Sequence, residues 1–310
     1  MQLNSFPNVE KQSISSSLLK LRSVVLDLLR LDKVHPLIAG NKWFKLKYNL
    51  LQAREEGHDT LLTFGGAYSN HIYATAAAGK EYGFQTIGII RGELTEPLNP
   101  TLNFASEQGM RLEYVSREDY RKKDNPEFGD WLTSQFGRCF IIPEGGSNAL
   151  AVRGCAEILP QPADYNYIAC CVGTGGTLAG LLESNQERAE VLGFSALKGG
   201  GFLYDEVNHL TQSFSGNIYP NYQIIENYHF GGYARANAEL VNFINTFRYE
   251  QQIQLEPIYT GKMMYGLFDM LASGYFAEGS RILAIHSGGL QGIEGFNRRY
   301  RKKNLRIIVD

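Results

Sequence analysis

The chain has 310 residues with 33 Gly and 10 Pro, enough to bury a sizeable core in one large or two medium domains joined by many tight turns. Thirty Lys and Arg against 32 Asp and Glu leave a formal net charge of -2, so nothing electrostatic points to nucleic acid, and small molecules are the expected partners. Cys139, Cys155, Cys170 and Cys171 are too few for a disulfide framework and have no zinc spacing; with no apolar leader and no run of about eighteen apolar residues, the chain reads as cytoplasmic, without membrane or metal.

After an irregular start, Val24 to Leu29 is an apolar strand. Next comes Ala39-Gly40-Asn41-Lys42-Trp43-Phe44-Lys45-Leu46, read as a strand end passing into a helix from Trp43 to Glu56 that Gly57 terminates. Asn41 suits the N-cap, but two lysines at the positive pole of a helix are unfavourably placed. They are either solvated surface charges or a sign of a nearby anion, with Lys42 an amine held for imine chemistry and Lys45 one turn along on the same face.

A strand and helix rhythm follows. Strands are expected at Thr60 to Phe64, Gln85 to Ile90 and Leu112 to Val115, with helices at Asn70 to Tyr82 and Thr101 to Gln108 between them. The charged stretch from Lys122 to Glu127 reads as a solvated loop or helix edge. Cys139 to Ile142 is the next strand, and Pro143 to Asn148 is a turn capping a helix from Ala149 to Leu159. Further strands are expected at Tyr165 to Val172, Ala189 to Phe194, Tyr222 to Asn227 and Arg281 to His286. Helices are expected from Leu178, at Leu203 to Leu210, at Arg235 to Tyr249 and from Ile258 to Leu271. Strands written as continuous apolar runs imply parallel sheets covered on both faces, and in such sheets ligands sit at the carboxyl ends of strands. Gly65 to Asn70, Glu144 to Gly146, Gly173 to Thr177 and Ser287 to Gly289 all lie there.

Gly173-Thr174-Gly175-Gly176-Thr177 offers amides and two hydroxyls at a helix start, as a phosphate requires, although an ordinary tight turn has the same composition. It is a poor dinucleotide site: Leu178 stands at the third glycine position and Phe194-Ser195 supply no carboxylate for a ribose. Gly261-Lys262 is no Walker loop, because Glu256 and Met263 occupy two of its required positions. Ser69 and Asn70 can be simple helix caps, but no catalytic triad or nucleophile elbow surrounds Ser69, so a hydroxyl that binds a carboxylate is preferred to a hydrolase nucleophile. Tyr233 and Tyr259 sit in polar glycine-containing turns; packing is the ordinary role of such residues.

Taken in order, GNKWFK, FGGAYSN, EGGSNAL, GTGGT, GGYAR, PIYTGK and IHSGG resemble the D-cysteine desulfhydrase and 1-aminocyclopropane-1-carboxylate deaminase family of pyridoxal phosphate enzymes, over nearly the whole chain from about Arg30. The resemblance implies the tryptophan-synthase-β-like fold: two α/β domains, parallel-type sheets flanked by helices, and the cofactor in the cleft. Residues 1–46 and 148–310 would form the larger domain and 47–147 the smaller. It also implies that Lys42 bonds pyridoxal 5'-phosphate covalently, that Asn70 bonds the pyridine-ring oxygen, and that Gly173, Thr174, Gly175, Gly176 and Thr177 hold the phosphate. Lys45, Thr260 and Ser287 join the cofactor-binding set, Ser69 takes the substrate carboxylate, and Tyr233 and Tyr259 face the reacting carbons. A homodimer is implied as well.

Phe44, Lys47 and His71 depart from the family's usual Arg, Glu and Gln. Members that open the cyclopropane ring carry Glu and Leu where this chain has Thr260 and Ser287, and hydroxyls there leave the pyridine nitrogen nearly neutral, which suffices for elimination. The expected activity is therefore β-elimination from a small amino acid, D-cysteine first. The alternatives are 1-aminocyclopropane-1-carboxylate deamination, a non-catalytic carrier of the cofactor and, disfavoured by Leu178 and the missing acidic residue, a nicotinamide-dependent dehydrogenase.

Overall fold

The structure is a computed structural model that describes residues 7–159 and 164–309. Its order begins β1 (Lys11–Ile14), α1 (Ser17–Leu21), β2 (Val25–Arg30), α2 (Asn41–Glu55), β3 (Thr60–Gly66), α3 (Asn70–Tyr82), β4 (Gln85–Arg91) and α4 (Pro100–Glu107). It continues with β5 (Arg111–Val115), α5 (Arg117–Tyr120), α6 (Pro126–Phe136), β6 (Phe140–Ile142), α7 (Ala149–Cys155), β7 (Tyr167–Val172), α8 (Gly176–Asn185) and β8 (Glu190–Ser195). The remainder is α9 (Leu203–Ser215), β9 (Tyr222–Ile225), α10 (Ala238–Gln251), α11 (Thr260–Ala272), β10 (Arg281–His286) and α12 (Gly292–Arg301).

Two sheets result. The larger has the order β1-β2-β10-β7-β8-β9 and the smaller β5-β4-β3-β6. All pairings are parallel except β1 with β2. Side chains of β7 alternate between two cores: Ile168, Cys170 and Val172 join one under α2, α7, α8 and α9, while Ala169 and Cys171 join another under α10 and α11. That two-sided burial is why the strands read as unbroken apolar runs. The small sheet lies wholly within residues 60–142 and has its own two apolar clusters, around Phe64 and around Ile72.

The first stretch differs from expectation. No strand leads into α2; ten residues, 31–40, separate it from β2, beginning with a short 3₁₀ turn. Asn41 is not the N-cap either. Gly40 holds that place with φ +72, and Asn41 is the first helical residue, its Nδ2 donating 2.7 Å to Thr177 Oγ1. Glycine is required because a Cβ at Gly40 would lie 1.9 Å from the carbonyl oxygen of Ser287. Helix α8 starts at Gly176 rather than Leu178, and β1, α1, α5, α6 and α12 were not foreseen. No helix among the described residues is long and apolar enough to cross a membrane.

Candidate active site

The loops after β3, β6, β7 and β10 converge on the first turn of α2. Lys42 Nζ donates to Gly145 O at 3.0 Å, and Lys45 Nζ donates to the same oxygen at 3.0 Å and to Ser147 Oγ at 2.8 Å and Thr174 Oγ1 at 3.3 Å. The Ser147 and Thr174 hydroxyls are themselves 2.6 Å apart. Lys45 is buried, and among the described residues neither lysine pairs with a carboxylate. Burial, followed by repulsion from Lys45, pushes the Lys42 amine well below its ordinary range; burial alone lowers Lys45 to about 8.

Two lysine amines with no carboxylate partner among the described residues, two hydroxyls and the amides of a helix N-terminus form a cradle for a phosphate ester. The glycines keep it open: a Cβ at Gly176 would meet Ser147 Oγ at 2.8 Å and Lys45 Nζ at 3.0 Å, and one at Gly145 would meet Thr174 Oγ1 at 2.6 Å. His71 adds an orphan. Its Nε2 lies 2.8 Å from Thr63 Oγ1, whose proton goes to Ile142 O, so the imidazole donates from Nε2 and leaves Nδ1 as a buried acceptor without a partner among the described residues. Burial, then Lys42 and Lys45, keep that ring neutral. The chemistry of this donor set fits pyridoxal phosphate, with Lys42 in reach of the same loop as the phosphate donors.

Ser69 is the N-cap of α3 and accepts from the amides of His71 at 3.2 Å and Ile72 at 3.3 Å. Capping uses its lone pairs and leaves its proton for an incoming carboxylate. Asn70 Oδ1 accepts 2.9 Å from Gln291 Nε2, while its Nδ2 faces Gly289. Tyr259 is the N-cap of α11; its ring lies against Gly173, and Tyr233 meets it edge-on at 6.0 Å between centroids. Burial and the Tyr233 hydroxyl push the Tyr259 phenol far up, so it keeps its proton.

Thr260 and Ser287 are less simply disposed. The Thr260 hydroxyl accepts from the Glu256 amide at 3.1 Å and donates to Glu256 Oε1 at 3.2 Å. Glu256 is fully buried, and its carboxylate also accepts from the amides of Ile258, Tyr259 and Thr260 at 2.6 to 2.8 Å. Ser287 contributes its backbone: its carbonyl accepts the Asn41 amide at 3.2 Å and closes on Gly40.

Sequence reasoning missed Asn41 as a partner of the phosphate loop, Ser147, Glu256 and Gln291. Glu256 carried a legible signal, since an acid four residues before Thr260 can cap a helix that starts there. Gln291 did not, because its contact joins residues 221 positions apart.

Comparison with known proteins agrees with this geometry. The family model for pyridoxal-phosphate dependent enzymes matches residues 18–288. A Pyrococcus horikoshii protein, by name a provisional 1-aminocyclopropane-1-carboxylate deaminase, is 30 % identical over 82 % of this chain and 81 % of its own. The D-cysteine desulfhydrase of Klebsiella pneumoniae is 27 % identical over 87 % of this chain and 88 % of its own. The crystal structure of an ACC deaminase homologue superposes with a TM-score of 0.81 at 26 % identity, covering 96 % of this chain and 94 % of that one. The family model covers most of the sequence and a relative is 30 % identical over 82 % of it, so the chain belongs to the pyridoxal-phosphate dependent enzymes.

Proposed function

We propose that the chain is a lyase that eliminates the β-substituent of a small amino acid, D-cysteine in the first instance, giving pyruvate, hydrogen sulfide and ammonia. The observation that carries this reading is the convergence of Lys42 and the buried Lys45 on one carbonyl oxygen with no carboxylate partner among the described residues, together with Ser69 at one helix start and Tyr259 with Tyr233 at another. When bound, pyridoxal phosphate withdraws electrons from the substrate α-carbon. The chain supplies the rest. Ser69 Oγ and the first amides of α3 hold the substrate carboxylate, and Lys45, Ser147 and Thr174 hold the phosphate. The Lys42 amine, whose pKa burial and the neighbouring Lys45 lower, accepts the α-proton at Nζ. Tyr259, which retains its proton, hydrogen-bonds the departing sulfur with Tyr233 beside it.

D-Cysteine is preferred to 1-aminocyclopropane-1-carboxylate because no free carboxylate edge is supplied by α11: Glu256 is taken up by three amides and the Thr260 hydroxyl. Deep electron withdrawal, which ring opening needs, has no evident source there. The family name of the Pyrococcus relative keeps deamination as the second reading. We further propose a cytoplasmic homodimer with residues 47–147 as the smaller domain; four free cysteines and the confinement of the small sheet to 60–142 support the first and last points. The deciding assay offers both substrates to the purified enzyme. Sulfide from D-cysteine with little 2-oxobutyrate from 1-aminocyclopropane-1-carboxylate is expected, and the reverse pattern overturns the assignment.

A further inference from the structure

Lys262 is 2 % exposed and pairs with no carboxylate among the described residues. Its ammonium instead donates to two backbone oxygens, His229 O at 2.8 Å and Gly232 O at 2.9 Å. A buried ammonium held only by carbonyls is costly, so the groups it holds ask for an explanation. They are the two ends of the turn that delivers Tyr233. That turn is wound through positive φ at Phe230 (51), Gly231 (89), Gly232 (112) and Ala234 (54), a path an unsupported loop would not keep. The Gly231 amide closes on His229 Nδ1 at 2.9 Å, and the Gly232 amide on His229 O at 3.0 Å.

Lys262 stands three residues after Tyr259, so the first turn of α11 carries Tyr259 directly and Tyr233 through this ammonium. We propose that Lys262 is a positioning residue whose grip on His229 and Gly232 sets the Tyr233 ring against Tyr259, fixing the spacing of the two phenols at the reacting centre. The inference rests on the reading of Tyr233 as substrate-facing and deepens it. It also ties two separated motifs, GGYAR and PIYTGK, into one mechanical unit.

The test uses the cofactor-loaded enzyme carrying Lys262→Met, which keeps the stem and removes the donors, and Lys262→Arg, which keeps donors. Amide hydrogen exchange over 229–235 should quicken about tenfold or more in Lys262→Met, the size expected for losing one or two hydrogen bonds, while 263–271 stay protected. Turnover of D-cysteine should fall through kcat rather than KM, Lys262→Arg should recover part of both losses, and the loss should vanish when Lys262→Met is placed on Tyr233→Phe. Unchanged exchange in the loop, equal acceleration throughout α10 and α11, or losses that simply add with Tyr233→Phe would overturn the proposal. If Lys262→Met does not fold, Lys262→Gln carries the same comparison. A wild-type enzyme that never releases sulfide removes the D-cysteine reading, yet the exchange result still decides the role of Lys262.

Discussion

Lys42 and Lys45 donate to one carbonyl oxygen and are still chemically distinct, because only Lys45 also has hydroxyl partners. Lys42→Ala should therefore abolish the borohydride-reducible bond to the cofactor while shifting the melting temperature by only a few degrees, since one partly exposed side chain contributes little to a core of this size. A reducible adduct persisting at Lys45 would show that the two roles are reversed. Lys45 makes a pH prediction. Its folded value of about 8 lies below its ordinary 10.5, so the charged form costs stability below about pH 8, and that cost is relieved as pH rises from 8 toward 10.5. A bound phosphate dianion favours the ammonium again, so cofactor binding at pH 9 should take up a proton and weaken as pH rises. Calorimetry in two buffers of different ionisation enthalpy measures that uptake, and Lys45→Met should remove it.

At the scale of single elements, α3 separates capping from catalysis. Ser69→Gly retains most of the cap, since Gly at this position costs only a few tenths of a kcal/mol, whereas Ser69→Ala costs about 1 kcal/mol. Both lose the hydroxyl. KM for D-cysteine should rise in both variants and the melting temperature fall chiefly in Ser69→Ala; an unchanged KM would reduce Ser69 to a cap. In α11, Glu256→Ala strips three amides and a hydroxyl of their acceptor at once, and a loss of about 1 to 3 kcal/mol for each group left buried and unpaired would unfold many domains. Glu256→Gln, which keeps one acceptor oxygen, should be milder in urea unfolding.

These elements also show what a linear reading captures. The alternation of apolar runs with helical stretches is local, so β3 to β5 and α2 to α4 were placed within a few residues. Gly40 was misread because its conformation is set by Ser287, 247 positions away in the chain. Gln291 was passed over for the same reason, since its partner Asn70 is 221 positions away, whereas Glu256 caps residues two to four positions on and was legible locally.

On the scale of the whole molecule, the small sheet is continuous in sequence and the large sheet is not. Homodimerisation belongs to this level; sedimentation should give a dimer at micromolar concentration, and a monomer would remove that part of the proposal. The position of β10 has a consequence for synthesis. It lies between β2 and β7, paired with both, although every other strand precedes it in the chain. While the ribosome is still adding residues, the strands up to β6 can already pair, but the large sheet has a slot at its middle that stays open until residues 281–286 emerge. The Gly40 and Ser287 backbones cannot meet before then, so the nascent chain should hold a finished small sheet and no competence to retain its cofactor. Chains stalled just short of residue 281 should resist protease over 60–142 and retain no pyridoxal phosphate after gel filtration, even once released, whereas the full-length chain retains it.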